Sequence, residues 1–324
     1  MKQHFKRSAA LAFTVGIFHS FAFAQTAWPD KPVKLIVPYA PGGTTDFLAR
    51  QIAQKLTEQT GKSFFVENKV GASGLIGTDA VAKSPPDGTT FQINDTTYAM
   101  LPHLFKKLPW DHDKDMIAVT SIAQTPLVLV VSEKSPYKTM QDLVAFGKKN
   151  PGKLNYGSGG MGSSSHLGGE LFKDAAKIDA THVPFKGAGE AMLNVVSGSV
   201  DFLVTAAPTA IPQVNGGKIR ALAVTSPARI ATLGNVPTTA EAGLKDFNAT
   251  NWFGLAAPKG TPQPVIDKLH AEVKKALASP DLAKRFNDQG AEPGGVSPAE
   301  FQLFVRAETE RWGKVIRAAG VKPE

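Results

Sequence analysis

The sequence contains no cysteine among its 324 residues. This absence excludes disulfide bonds, thiol nucleophiles and metal sites with cysteine ligands. The formal net charge is +8, yet the basic residues form no continuous run. Because nucleic-acid-binding proteins usually concentrate positive charge in a patch or stripe, we expect no nucleic-acid partner.

A long apolar run is also missing beyond the N-terminal region. There, a basic segment ending at Arg7 precedes an apolar stretch over residues 9–23, and Ala22 and Ala24 fit the small-residue rule for signal cleavage. An uncleaved membrane anchor is the alternative, but the stretch is short for a bilayer span. We predict a signal peptide over residues 1–24, cleavage after Ala24 and export to the periplasm.

Sequence motifs of the common hydrolases are absent as well. The chain has neither a G-x-S-x-G nucleophile elbow nor an H-E-x-x-H zinc motif. Ser164, His166 and Asp201 are a conceivable triad because chain order places no restriction on one, but no spacing supports it. We expect no catalytic residues, with a hydrolase or dehydrogenase acting on a carboxylated substrate as the alternative function.

The stretch from Leu35 to Ala53 contains an apolar strand, a glycine turn and an amphipathic helix in succession. Gly42 and Gly43 permit a sharp turn and a close backbone approach. Thr44, Thr45 or Asp46 can cap the helix that follows. Such a helix start suits a carboxylate or phosphate, although an ordinary turn between strand and helix has the same pattern. Tyr39, which lies between two prolines, is placed to close over a ligand.

The same alternation of strand, turn and helix recurs along the chain. It predicts an α/β protein with a mostly parallel sheet that binds its ligand at the carboxyl ends of the strands. We predict a discontinuous first domain over residues 25–125 and 248–324 and a second domain over residues 126–247. Apolar strands at Leu127–Val131 and Trp252–Pro258 are expected to cross between the domains, so that two hinged lobes enclose a cleft.

A second glycine-rich loop follows the strand at Leu154–Tyr156. Gly157, Gly159 and Gly162 have the G-x-G-x-x-G spacing of dinucleotide-binding proteins. Dinucleotide-binding proteins also have an acidic residue after the next strand, but here Lys186 takes that place. Contact between Lys186 and the 2′-phosphate of a dinucleotide is the remaining alternative. The related phosphate-binding loop of NTPases is also incomplete, because Ser163 stands in place of its lysine. We expect no cofactor.

This second loop is better suited to a carboxylate. Its serines, including Ser158, Ser163 and Ser164, and its free amides can form hydrogen bonds to an anion without a formal positive charge. We interpret His166 as a capping or supporting residue rather than a catalytic base.

The segment Asp111–Asp115 is the one cluster that resembles a metal-binding loop. Its ligands have no helical or hairpin spacing, and Lys114 lies among them. A solvated loop is the favoured interpretation, and we expect no metal site.

Seven separated segments, in order, resemble the substrate-binding receptors of the tripartite tricarboxylate transporters, the Bug or TctC-like family. They span essentially the whole chain after the predicted signal peptide. The segments are PYAPGGTTD, ENKVGASGLIGTDAVAKSPPDGTT, YGSGGMGSSSHLGGE, HVPFKGAGEA, GKIRALAVTS, NVPTTAEAG and WFGLAAPKGTP.

The resemblance implies a type II periplasmic binding protein fold with two Rossmann-like lobes and two crossover strands. It also implies a receptor, expected to be a monomer, that delivers a carboxylated solute to a membrane permease of the tripartite tricarboxylate type. An aromatic or aliphatic dicarboxylate or a tricarboxylate is expected, terephthalate-like acids among them. The residues expected at the ligand are Tyr39, Gly42, Gly43, Thr44, Asp46, Thr96, Thr97, Ser158, Gly162, Ser163, Ser164, His166, Lys186, Gly187 and Ala206.

Two finer expectations concern individual loops. The polar loop from Thr96 to Tyr98 is expected to receive the second carboxylate of a dicarboxylate. Gly43→Val is expected to abolish binding, because a β-branched side chain would block close approach to the first loop. For Asp46, capping of its own helix is favoured over contact with the solute.

Overall fold

The computed structural model describes residues 28–318, apart from 246 and 248, together with residue 323. The predicted signal peptide and its cleavage site lie outside these residues. In the part of the chain that is described, none of the helices combines the length and the apolar character needed to cross a bilayer.

In the described part of the chain, ten strands form one strongly curled mixed sheet. They are β1 (Val33–Val37), β2 (Phe64–Asn68), β3 (Thr90–Asp95), β4 (Met116–Ser132), β5 (Leu154–Ser158), β6 (Ala180–Pro184), β7 (Phe202–Ala206), β8 (Ile219–Val224), β9 (Thr250–Pro258) and β10 (Glu292–Pro293).

Helices cover both faces of this sheet. They are α1 (Thr44–Thr60), α2 (Leu75–Ala82), α3 (Thr96–Leu104), α4 (Met140–Lys149), α5 (Ser164–Ala176), α6 (Ala188–Ser197), α7 (Ala207–Asn215), α8 (Gln263–Leu277), α9 (Pro280–Asp288) and α10 (Pro298–Ala318).

Strand β4 belongs to both halves of the molecule. Its first part, from Met116 to Pro126, pairs antiparallel with β9, and β10 pairs with the same region. Its second part, from Leu127 to Ser132, pairs antiparallel with β7 and β8. The first half therefore has the strand order β2-β1-β3-β9-β4, and the second half continues as β4-β7-β5-β6.

Parallel pairing within each half produces two related βα units. Strand β1 is parallel to β2 and β3, and β5 is parallel to β6 and β7. Because the helices α1 and α5 follow β1 and β5 directly, their N-termini lie at the carboxyl ends of these strands. The prediction of two lobes built from βα units is confirmed.

Apolar periodicity located most of the core. Leu48, Ile52 and Leu56 on α1 are fully buried, as their spacing of three to four residues predicts. Trp110 and Trp252 are buried in the core, and Trp28 packs edge-on against Phe64. The predicted strand at Trp252–Pro258 lies entirely in the first half, so the chain returns to that half before β9 begins.

Two segments predicted as polar loops have defined local structures. Thr96–Tyr98 is not a loop, because α3 begins at Thr96 and the Asp95 carboxylate caps it by accepting a bond from Thr97 N. The segment Asp111–Asp115 is an exposed turn in which Asp111 pairs with Lys114. Among the described residues, no cluster of three or more His, Asp or Glu side chains could hold a metal ion.

Candidate functional site

A cavity lies between the two halves, at the carboxyl ends of the strands. It contains about 440 Å³ free of protein atoms, part of it open to solvent. Both halves line it. The lining residues are Tyr39, Ala40, Gly43, Thr44, Thr45, Asp46, Asp95, Thr97, Gly159, Ser163, Ser164, Ser165, Ala188, Thr205, Ala206, Thr209, Asn251 and Phe253.

The first glycine turn places the start of α1 against this cavity. Gly42 has φ +89°, a left-handed conformation that favours glycine, and Gly43 is extended just before the helix. Among the residues that the structure describes, no side chain caps α1, and the residues of its first turn line the cavity. The free N–H groups and the positive end of the helix dipole therefore lie where an anion can bind.

Asp46 does not cap its own helix. Its carboxylate accepts bonds from Gly42 N (3.2 Å), Asn68 Nδ2 (2.9 Å) and the Arg50 guanidinium (2.8 and 3.0 Å). Burial favours a higher pKa for Asp46, but the bonds from Arg50, Asn68 and Gly42 lower it overall. The charged carboxylate holds the turn in place, and it occupies the Gly42 amide that was expected to face the ligand.

The second glycine loop differs from the first, because most of its amides have partners within the loop. Gly159 N donates to Ser165 Oγ (2.8 Å), Gly160 N to Ser158 Oγ (3.1 Å) and Gly162 N to His166 Nδ1 (2.9 Å). This loop presents Gly159 and a set of hydroxyl-bearing residues, Ser163 to Ser165, to the cavity.

Three of the residues predicted for the second loop lie behind it rather than in the cavity. Ser158 is fully buried, and its hydroxyl bonds to His182 Nε2 (2.5 Å). Gly162 lies against Leu104 and has φ +72°. His166 supports Gly162 and stacks on His182, with 3.9 Å between ring centroids. Burial lowers the pKa of His166, which favours the neutral ring that accepts the Gly162 N–H.

A catalytic triad is not assembled from the residues considered above. The Asp201 carboxylate accepts the Asn155 N–H (2.7 Å) at the start of β5, whereas Ser164 follows the end of that strand. Ser164 Oγ instead accepts a bond from Asn251 Nδ2 (3.1 Å).

Lys186 and Gly187 form part of the contact between the halves. Lys186 O accepts a bond from Ala40 N (3.3 Å), and Lys186 lines a neighbouring groove rather than the cavity itself. The α-carbon of Gly187 and the start of α6 lie against the first glycine turn. These residues bring the lobes together and place Ala188 in the cavity wall.

Further bonds join the halves across the cavity. Thr44 Oγ1 and Thr209 Oγ1 are 2.8 Å apart, and Ser164 N donates to Thr97 Oγ1 (3.2 Å). Together with the Asn251–Ser164 bond, they hold the lobes in a closed arrangement.

Sequence reasoning missed several of the lining residues, chiefly Asp95, Asn251 and Thr205. Asp95 had a recognisable signal, since aspartate at the end of a strand and before two threonines is a common helix cap. Its neighbour Thr96 was predicted at the ligand, but the Thr96 hydroxyl accepts the Trp252 N–H (3.0 Å) and lies outside the cavity lining.

Comparison with known proteins identifies the class of molecule that has this cleft. The family model described as the tripartite tricarboxylate transporter family receptor matches residues 48–321. The chain belongs to this receptor family. Membership confirms the predicted family and the expectation of a solute-binding receptor rather than an enzyme.

Several relatives of this receptor extend over almost its full length. Protein BugT from Bordetella pertussis is 34% identical over 319 residues, which cover 96% of this chain and 98% of BugT. An R. palustris protein solved with adipate has a TM-score of 0.88 and 38% identity, covering 92% of this chain and 100% of that one. MatC from Rhodopseudomonas palustris, solved with bound malate, has a TM-score of 0.84 and 33% identity, covering 89% and 100%.

Proposed function

We propose that this receptor captures a carboxylated small molecule between its lobes and delivers it to a permease of the tripartite tricarboxylate type in the membrane. The observation that carries the proposal is the uncapped N-terminus of α1 opening onto the cavity. A carboxylate there accepts charge-assisted bonds from the amides of the first helical turn. Relatives solved with adipate and with malate support this class of solute.

The proposed binding residues come from both lobes. Gly43, Thr44 and Thr45 contribute the helix start, and Ser163 to Ser165 contribute hydroxyls from the facing loop. Tyr39, Thr97 and Ala206 form the adjoining walls. Gly42, Ser158, Gly162, His166 and Lys186 support these groups from behind or from the side, and Asp46 lines the cavity while its carboxylate holds the first turn.

Solute binding is proposed to shift the receptor from an open to a closed state. In an open state the α1 amides and the serine hydroxyls are hydrated and separate, whereas the closed state brings them to opposite sides of one solute. Residues 25–125 and 248–324 are proposed to move as one lobe and residues 126–247 as the other. The closed monomer is then the form that presents solute to the permease.

A thermal-shift screen of ligand-stripped protein tests the proposed function. Mono-, di- and tricarboxylates and aromatic acids are compared with the corresponding neutral amides, which have similar shape without the charge. We expect at least one carboxylate to raise the melting temperature in a concentration-dependent way while its amide does not. Stabilisation by none of the carboxylates, or by acid and amide alike, would contradict the proposal.

A further inference from the structure

The cavity has an unexpected charge balance for a site that binds an anion. Its lining includes two carboxyl groups, Asp46 and Asp95, whereas none of the described residues that line it is a lysine, arginine or histidine. Asp46 is neutralised by its ion pair with Arg50 (2.8 Å). Asp95 has no ion pair with any residue in the described part of the chain, so no positively charged side chain offsets its charge.

Asp95 is held in a fixed orientation at the end of β3. Its side chain is buried, and Oδ1 accepts bonds of regular geometry from Tyr39 O–H (2.8 Å) and Thr97 N (2.9 Å). Both of these bonds fall on one oxygen. The other oxygen, Oδ2, is therefore the one with capacity to accept a bond from a molecule in the cavity.

We propose that Asp95 makes the receptor selective for carboxylates that also carry a hydrogen-bond donor, a hydroxyl or an ammonium group, at the end of the molecule that faces Asp95. This inference rests on the proposed function and narrows it. It also replaces the expectation that a second carboxylate lies beside Thr96 to Tyr98, because Asp95 immediately precedes those residues.

The physical reason is the cost of placing like charges together in a site sheltered from water. A hydroxyl or ammonium group satisfies the acceptor capacity of Asp95, whereas a methyl group leaves it unpaired. A second carboxylate repels Asp95 unless a proton lies between the two groups. Burial raises the pKa of Asp95, against the bonds from Tyr39 and Thr97 that lower it, and so makes uptake of that proton easier.

Isothermal titration calorimetry with matched ligands tests the selectivity. Three ligand skeletons are used: a four-carbon chain, a six-carbon chain and a para-substituted benzoate. Every ligand has a carboxylate at one end. The other end carries a methyl, a hydroxyl, an amine-bearing or a second carboxylate group. On the best-binding skeleton, we expect the hydroxyl or amine member to bind about tenfold more tightly than the methyl and carboxylate members at pH 7.5. A ranking led by the methyl or carboxylate member overturns the proposal.

The variant Asp95→Asn separates charge from shape. Asparagine retains an oxygen that can cap α3, so the fold is expected to persist, and the melting temperature of the free protein checks this. In this variant, we expect the amine-bearing ligand to lose most of its higher affinity relative to the methyl ligand. We expect the dicarboxylate to bind more tightly than it binds to the wild type. Asp142→Asn, at the start of α4 and outside the cavity, is the matched control and should leave the ranking unchanged. An unchanged ranking in Asp95→Asn overturns the proposal.

Proton uptake provides a measurement that needs no variant. The dicarboxylate of each skeleton is titrated in two buffers of different ionisation enthalpy, and we expect about one proton to be taken up per bound molecule. The nearby titratable groups are Tyr39, whose pKa burial raises, and Asp46, which Arg50 keeps charged. Tight dicarboxylate binding without proton uptake contradicts the proposal. If other carboxylates stabilise the protein while all the hydroxyl and amine members fail to bind, the selectivity is wrong but the receptor function stands.

Discussion

Gly189, on α6, is a residue at which the backbones of the two lobes pack against each other beside the cavity. A β-carbon on Gly189 would lie 2.8 Å from Gly42 C and from Pro41 O, both of them backbone atoms. At Gly43, in contrast, an added β-carbon would make ordinary contacts of 3.7 Å with Ala188 and Gly189, and φ is −88°. Closure of the lobes therefore requires the glycine at position 189, on α6, and not Gly43 in the first loop.

Gly189→Ala is expected to weaken solute binding by about tenfold, because relief of such a clash costs about 1–3 kcal/mol in the closed state. The free protein should melt no lower than the wild type, since alanine favours a helix. Calorimetric titration with the best carboxylate from the screen and thermal melting measure the two effects. Gly43→Ala is the control, and we expect it to lose less affinity for the solute. Equal losses of affinity in the two variants would contradict the assignment of Gly189 as the glycine that closure requires.

At the scale of single elements, the second glycine loop depends on a stack of rings behind it. His166 and His182 stack on each other, and His182 also stacks on Tyr156 with 5.0 Å between centroids. Burial is the main cause that lowers the pKa of His182 to about 4; repulsion from His166, were it protonated, and from Lys173 adds to it, against the Glu170 carboxylate, which raises it. Both rings are therefore neutral at pH 7, as their hydrogen bonds to the loop favour.

This stack predicts a loss of stability in mild acid. Between about pH 6.5 and pH 4 the unfolded chain binds a proton at His182 that the folded chain does not, so the free energy of unfolding decreases as pH falls through this window. His182 alone contributes at most about 3 kcal/mol to that decrease. Urea unfolding at several pH values measures it.

His182→Gln is the variant for this test, because glutamine does not titrate and can still bond to Ser158. We expect the decrease between pH 6.5 and pH 4 to be smaller in the variant than in the wild type. His270→Gln, on α8 and remote from the loop, serves as the control. Identical pH profiles for His182→Gln and the wild type would show that the stack does not titrate in this way.

At the scale of the whole molecule, closure depends on hydroxyl groups that meet across the cleft. Thr44 begins α1 and Thr209 lies on α7, and their hydroxyl oxygens are 2.8 Å apart. This bond exists only when the lobes are closed, so it contributes to the affinity for solute and not to the stability of an open form.

Thr44→Val and Thr209→Val are each expected to lower affinity by up to about tenfold, the value of one buried hydrogen bond. Each single variant removes the same hydrogen bond. The binding free energy lost in the double variant should therefore be smaller than the sum of the losses in the two single variants. Titration calorimetry of all four proteins completes the cycle. Additive losses would mean that the two hydroxyls act independently, for example on the solute itself.

The sequence by itself determined the elements and the family. Apolar periodicity predicted the helix that follows the first glycine turn, α1, and the glycine turns predicted where β1 and β5 give way to helices. These signals are local, because a helix or turn is specified by residues within a few positions of one another. Thr96–Tyr98 was assigned wrongly because its hydroxyl-rich sequence fits a loop as well as a capped helix start.

The tertiary structure alone decided which polar groups are available to a solute. Whether an amide is free depends on partners that the sequence does not place, such as Asp46 for Gly42 and His166 for Gly162. Tyr39 and Asp95 are 56 positions apart, and Thr44 and Thr209 are 165 apart. These pairs meet only because strand order and lobe closure bring the carboxyl ends of β1, β3, β5 and β7 around one cavity.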